Sequence, residues 1–316
     1  MNILHVTPHL GGGVGTVVLG WVKKDMANNH TISYLEPGID HPGIGIPIVP
    51  CREEEGYDII VVHYWERYSM RKWLSIPHPA SRLVFWSHRN DPYPQSLIDY
   101  PDRWIDVSPV QGYGDWIWST GGVERFLDIQ PKDHAGFNIG TVASPKLHEN
   151  WFEMCEKIKS RIPEATFTVL GVLPAGILDK GVGRLEYYNY VGRVSDVAPY
   201  MAEMDVFGYP LRRNHFGTCE QVIGEAMATG VVPVVGNNLA EMSIIDHTYN
   251  GLVANTKKDY IDSVVRLYED PKFRKNLSRM AKEDARYFYC IHTMIRKWNG
   301  IFRQMMKQPK RERGTI

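Results

Sequence analysis

The chain has 316 residues, 43% hydrophobic and 23% charged, and its 36 basic and 36 acidic side chains cancel to a formal net charge of zero. That length exceeds one small core and suits two domains, while the neutral balance argues against nucleic acid as the main partner. Cys51, Cys155, Cys219 and Cys290 are too far apart in sequence for a zinc or redox pair and read as reduced thiols of a cytoplasmic protein.

The opening MNILHVTPHL reads as a strand over Asn2 to Val6, not as a signal peptide, and no apolar run is long enough for a transmembrane helix. A glycine loop, Gly11-Gly12-Gly13-Val14-Gly15, follows, and Val14 to Met26 has helical composition. YDIIVVHYW (57–65), RLVFWSH (82–88) and RWIDVS (103–108) read as further buried strands. The polar DIQPKDHAG (128–136), with its Pro and Gly, is the linker candidate. After it the alternation restarts with FNIGTVAS, a helix from about Leu147 to Arg161, TFTVLG, YYNYVG, DVFGYP, a helix from about Glu220 to Ala228, and VVPVVG.

Strands alternating with helices predict two consecutive α/β units with parallel sheets. The expected division is 1–135, 136–286 and a C-terminal helix over 287–316. From Lys258 to about Met306 the spacing is helical, and the last residues, KQPKRERGTI, are charged and expected to be disordered. Ile291, Ile295, Trp298 and Phe302 form one apolar stripe. It fits a helix packed back on the N-terminal domain, or an amphipathic helix making peripheral contact with a membrane.

In open α/β sheets ligands bind beyond the carboxyl ends of the strands. Several residues at such positions carry usable chemistry. Gly12, Gly13 and Gly15 let the backbone approach a ligand where a helix begins and offers free N–H groups to an anion. His63 and His88 follow apolar runs; each reads as a satisfied structural histidine or as a group facing a substrate, His63 toward an acceptor. Lys146 follows the first strand of the second domain, within reach of a phosphate. The loop from Pro210 through His215, Phe216, Gly217 and Thr218 joins a strand to a helix, so its backbone N–H groups can hold a diphosphate without a metal. Glu225, one turn into that helix, can accept two hydrogen bonds from the vicinal hydroxyls of a ribose, and Glu241 lies after the next strand. Together these residues describe a pocket for a nucleotide sugar.

At these residues the sequence resembles the retaining glycosyltransferases of the GT-B fold, specifically the large family 4 group. GEAMATGVVPVV is similar to that family's most specific signature, and YVGRVSDVAPYMAEMDVFGYP, NIGTVASPK, DIIVVHYW, RLVFWSH and GGGVGT are similar to its other conserved runs. The resemblance implies two Rossmann-like domains facing a central cleft and a C-terminal helix crossing back to the first. It implies metal-independent transfer of a sugar, with retention, from a UDP-, GDP- or other nucleoside-diphosphate donor to a glycan, lipid-linked or small-molecule acceptor, with no cofactor. It assigns Glu225 to the donor ribose, His88 to the donor sugar near the reacting carbon, Lys146 to the diphosphate, and Gly12 to Gly15 to the phosphates or acceptor. Glu220, Gly192, Arg193 and Glu241 complete the expected set. The sequence departs from the pattern in two places: Gly217 stands where the first motif glutamate belongs, and Thr141 where an arginine belongs. Arg193 or Arg212-Arg213 are the candidate replacements for that arginine. A nucleotide-sugar 2-epimerase and an inactive nucleotide-sugar binding protein are the alternative readings.

Overall fold

The computed structural model describes residues 1–36, 55–89, 92–110, 114–143, 150–172, 185–213, 215, 217 and 220–316. Lys146, Phe216 and Thr218 lie outside them. The chain divides into two compact units, one of residues 1–122, 216–219 and 289–316, the other of 123–215 and 220–288.

The first unit opens with β1 (Asn2–Thr7), α1 (Gly12–Lys24), β2 (Asn29–Tyr34), β3 (Ile59–Tyr64), α2 (Tyr68–Leu74), β4 (His78–Ser81), β5 (Leu83–Ser87) and β6 (Arg103–Asp106). Five of these strands form a parallel sheet in the order β2-β1-β3-β5-β6. The strands are buried on both faces, which is why β3 and β5 read as continuous apolar runs. Ile3, Ile59, Val61, Val84 and Trp86 pack on one face with Trp21 of α1. Leu4, Val6, Ile60, Val62 and Phe85, the alternate positions, pack on the other with Met70 and Trp73 of α2.

The second unit comprises α3 (Glu124–Leu127), β7 (Phe137–Ala143), α4 (Trp151–Arg161), β8 (Ala165–Gly171), β9 (Tyr188–Gly192), α5 (Ala198–Met201), β10 (Val206–Tyr209), α6 (Gln221–Thr229), β11 (Val232–Gly236), α7 (Leu239–Met242), β12 (Leu252–Ala254), α8 (Lys257–Glu269) and α9 (Pro271–Phe288). Its parallel sheet runs β12-β11-β10-β7-β8-β9. α6 ends at Gly230, whose φ of +83° is left-handed and suits glycine, and the Ser278 hydroxyl of α9 donates to the Gly230 carbonyl at 2.5 Å.

The break between the units falls at 122/123, not at 135/136. The physical reason is that α3 packs on α6 and α9, while the Lys132 N–H donates to the Ala202 carbonyl and its side chain pairs with Glu203. The segment expected to be a linker is thus anchored to the second unit. The chain then returns to the first unit through α10 (Ile291–Met305). Ile291, Ile295, Trp298 and Phe302 are all buried against its α1-side core, so the apolar stripe is core. Among the described residues no helix is long and apolar enough to cross a membrane.

The expectation of a disordered terminus is overturned. β13 (Arg311–Arg313) pairs antiparallel with β4. Arg313 is buried, donating to the carbonyls of Tyr100 at 2.7 Å and Ser81 at 3.0 Å and to the Asp102 carboxylate at 2.5 Å. A charged side chain supplies the anchor that apolar residues would otherwise provide.

Candidate functional site

In the second sheet β7, the first strand of the order, has β8 on one side and β10 on the other, so the topological switch lies between β7 and β10. The loop after β10 and the helix α6 stand at that edge. Glu220 is the N-cap residue of α6, and the buried Tyr209 hydroxyl at the end of β10 donates to its carboxylate at 3.2 Å. Burial first, then Glu220, then Glu241, drive the Tyr209 phenol well above its usual range, which places both carboxylates near one ring.

Glu225, one turn into α6, is half-buried and has no hydrogen-bond partner among the described residues. Burial pushes its carboxyl up to about 7; Arg125 lowers it and Asp196 raises it. Arg125 and Asp196 pair with each other at 3.1 Å, so the nearby cation is already engaged. A desolvated carboxylate without donors is a costly arrangement for a free protein.

Glu241, in α7 just past β11, is 0% exposed. His215 Nε2 lies 2.8 Å from its Oε1 and Asn238 Nδ2 lies 3.3 Å away, while its Oε2 has no partner among the described residues. The structure therefore brings His215 and Glu241 together, a pairing that their positions in sequence do not show. Gly217 is buried, and Thr141 is 0% exposed within β7. Gly192 ends β9 with φ +78°, and Arg193 after it is exposed without a partner among the described residues. β9 is the far edge strand, away from the β7–β10 switch. Arg213 donates to the Asn255 carbonyl at 3.0 Å.

In the first unit the glycine run is not a loop. α1 begins at Gly12, so Gly12, Gly13 and Gly15 form its first turn, with Gly11 as N-cap. Gly15 is dictated by packing: a Cβ there would meet the Leu10 carbonyl oxygen at 1.8 Å. The expectation that His63 contacts an acceptor is corrected. His63 is 0% exposed and both its ring nitrogens are occupied, Nε2 by His5 Nδ1 at 3.1 Å and Nδ1 by His88 Nε2 at 3.2 Å. His88 is half-buried just past β5 and extends the strand, its N–H donating to the Tyr64 carbonyl at 2.8 Å. The contacts continue inward, from His5 Nε2 to His30 Nδ1 at 2.9 Å and from His30 Nε2 to the Asp25 carboxylate at 3.1 Å. Sequence reasoning missed His5, His30 and Asp25.

Residues 137–270 match the family described as Glycosyl transferases group 1. The matched stretch holds Glu220, Glu225 and Glu241 together with His215. A stretch of 108 residues, 32% of this chain, is 33% identical to the N,N'-diacetylbacillosaminyl-diphospho-undecaprenol alpha-1,3-N-acetylgalactosaminyltransferase of Campylobacter jejuni, and the match spans 28% of that relative's length. Among solved structures, HepE of Anabaena in complex with UDP matches at a TM-score of 0.75 and 14% identity, covering 96% of this chain and 100% of HepE. The sucrose-phosphate synthase of Thermosynechococcus elongatus matches at 0.71 and 14%, covering 97% of this chain and all of the other. These likenesses establish the GT-B fold, with its two Rossmann-like α/β units.

Proposed function

We propose that the protein is a retaining, metal-independent glycosyltransferase that moves a sugar from a nucleoside diphosphate to an acceptor hydroxyl. The observation that carries this reading is the unpartnered, desolvated Glu225 carboxyl on α6 of a glycosyltransferase domain. Two vicinal ribose hydroxyls would supply the hydrogen bonds it lacks and favour its ionised form. Backbone N–H groups near Gly217 and the Lys146 ammonium would hold the diphosphate and stabilise the charge that develops on it as it leaves. His88 would lie at the donor sugar. HepE was crystallised with UDP and also with UDP-glucose, which supports a uridine diphosphate donor. The Campylobacter relative is named for a diphospho-undecaprenol acceptor, which supports a lipid-linked acceptor and peripheral contact with a membrane.

The departures at Gly217 and Thr141 favour a second reading, a nucleotide-sugar binding protein without turnover. The discriminating experiment incubates the full chain with UDP- and GDP-sugars, a panel of glycan and lipid-linked acceptors, and EDTA. Transfer with retained anomeric configuration supports the first reading. Donor binding without transfer across the panel supports the second, and strict dependence on manganese or magnesium contradicts the proposed diphosphate site.

A further inference from the structure

His30, His5, His63 and His88 come from four adjacent strands of the first sheet, β2, β1, β3 and the extension of β5. The register explains how they meet. His30 is opposite Ile3, two residues before His5; His5 is opposite Val61, two before His63; His63 is opposite Trp86, two before His88. Each step crosses one strand and advances two residues, which keeps all four rings on the same face. Such diagonal neighbours lie about 7–8 Å apart, a span that two facing imidazoles can bridge. The row lies under Trp21, which packs edge-on to His5 at a centroid distance of 4.8 Å, and beside Trp86.

The donors and acceptors in this row are ordered. A carboxylate only accepts, so His30 Nε2 carries a proton toward Asp25. If His30 is neutral, its Nδ1 is an acceptor. His5, His63 and His88 must then each donate from Nε2 toward Asp25, and His88 Nδ1 is left with a lone pair. If His30 is an imidazolium, every bond between histidines reverses: His5 and His63 donate from Nδ1, and His88 carries its proton on Nδ1. The two arrangements differ by one proton. His88 Nδ1 has no partner among the described residues.

We propose that Asp25, His30, His5 and His63 are a proton relay behind His88, which takes a proton from a ligand hydroxyl at Nδ1 and holds it at His30. The hydroxyl O–H breaks as His88 Nδ1–H forms. His88 Nε2–H then breaks as His63 Nδ1–H forms, His63 Nε2–H as His5 Nδ1–H forms, and His5 Nε2–H as His30 Nδ1–H forms. The ligand oxygen keeps the freed electron pair and is left as a nucleophile. The reverse shift returns the proton to a phosphate oxygen or water. The identity of the hydroxyl as that of a glycosyl acceptor rests on the function proposed above; the relay itself does not.

The charges favour this direction. Burial drives His5 and His63 well below the ordinary imidazole range, with their neighbouring histidines adding to it, and burial takes His88 down to about 3. The extra proton therefore does not rest on them. Burial alone would raise the Asp25 carboxyl, but hydrogen bonds from His30, the Asn28 side chain and the Ala27 N–H hold it at about 2, so it stays ionised to face His30. Among the described residues, the groups that act on the row are its own members; α1 and α10 bring Trp21, Trp298 and Asn299, none of which titrates. Arg89, next to His88, is paired with Glu66.

Nitrogen-15 NMR of histidine-labelled, ligand-free full-length protein tests the relay. All four rings should be Nε2–H at high pH. As pH falls, one transition should add a single proton to the row and move the proton of His5, His63 and His88 to Nδ1 together. Mixed tautomers at high pH, or separate transitions for the four rings, would overturn it. Asp25→Asn should lower kcat at least tenfold and move the acid limb of its pH profile downward, with KM for the nucleotide sugar unchanged. An unchanged kcat profile in that folded variant would also overturn it. A chain that shows the concerted reversal yet transfers no sugar supports the relay and contradicts the transferase reading.

Discussion

The glutamates around α6 in the second unit and the histidine row in the first differ in how their polar atoms are met. In the second, Glu225 lacks any partner among the described residues and Glu241 has one oxygen unpaired. In the first, His5, His30 and His63 have both ring nitrogens engaged, and among the described residues a single nitrogen of the row, on His88, is without a partner at its end. Unmet acceptors in a folded domain cost stability unless a ligand meets them. A satisfied row costs little and acts through its order. The difference separates a set of acceptors that lack donors from a row whose donors and acceptors are matched.

The largest test of the comparison is removal of residues 287–316. Seven side chains of α10 are buried, among them Trp298 and Phe302. At about 1.5–3 kcal/mol each, their loss matches or exceeds the ~5–15 kcal/mol that holds a typical domain together. The truncated protein should lose cooperative unfolding of its first unit and all activity, on soluble and lipid acceptors alike. A truncated form that kept its melting transition and lost only liposome binding would return the stripe to a membrane role.

Acid should strike the first unit before the second. The folded pKa of His5 and of His63 lies below 6.5, so below that pH the unfolded chain binds protons that the folded chain does not. Stability should therefore fall as pH drops beneath 6.5, by about 1.4 kcal/mol per pH unit for each such histidine. Denaturant midpoints measured between pH 7.5 and about 5 follow the slope, and a flat profile would contradict a neutral row. Arg313→Ala should cost about 2–3 kcal/mol, because the carbonyls of Tyr100 and Ser81 and the Asp102 carboxylate lose their buried donor. A melting temperature unchanged by that substitution would show that the β4–β13 ribbon is not structural.

These contrasts were unevenly legible in the sequence. β3, β5, β7, β10 and β11 stand out as apolar runs because their strands are buried on both faces. β2, an edge strand with alternating polar residues, and β12, three residues long, carry too little pattern to find. β13 reads as a solvated charged tail because Arg-Glu-Arg has no apolar anchor; its burial rests on hydrogen bonds to distant carbonyls. The Glu225 region is legible because its residues are contiguous in one strand-helix-strand run. The histidine row is not, since it depends on the relative register of four strands. One histidine in each of those runs is the only trace it leaves, and His63 and His88 alone were singled out from it. His215, in the loop before α6, and Glu241, in α7, are each named in the sequence reading but not paired.

The central claim is that Glu225 is held unsatisfied for a nucleotide. It is tested most directly by calorimetric titration of UDP and GDP into the wild-type chain and Glu225→Gln, with the melting temperature of each free protein. Because burial raises the folded pKa of Glu225 from 4.5 to about 7, its ionised form weakens the free fold above that range, and the neutral amide should melt higher. The same variant should bind the nucleotide at least about tenfold more weakly, the worth of one or two charge-assisted hydrogen bonds. Equal nucleotide affinity in a folded Glu225→Gln protein would contradict the account.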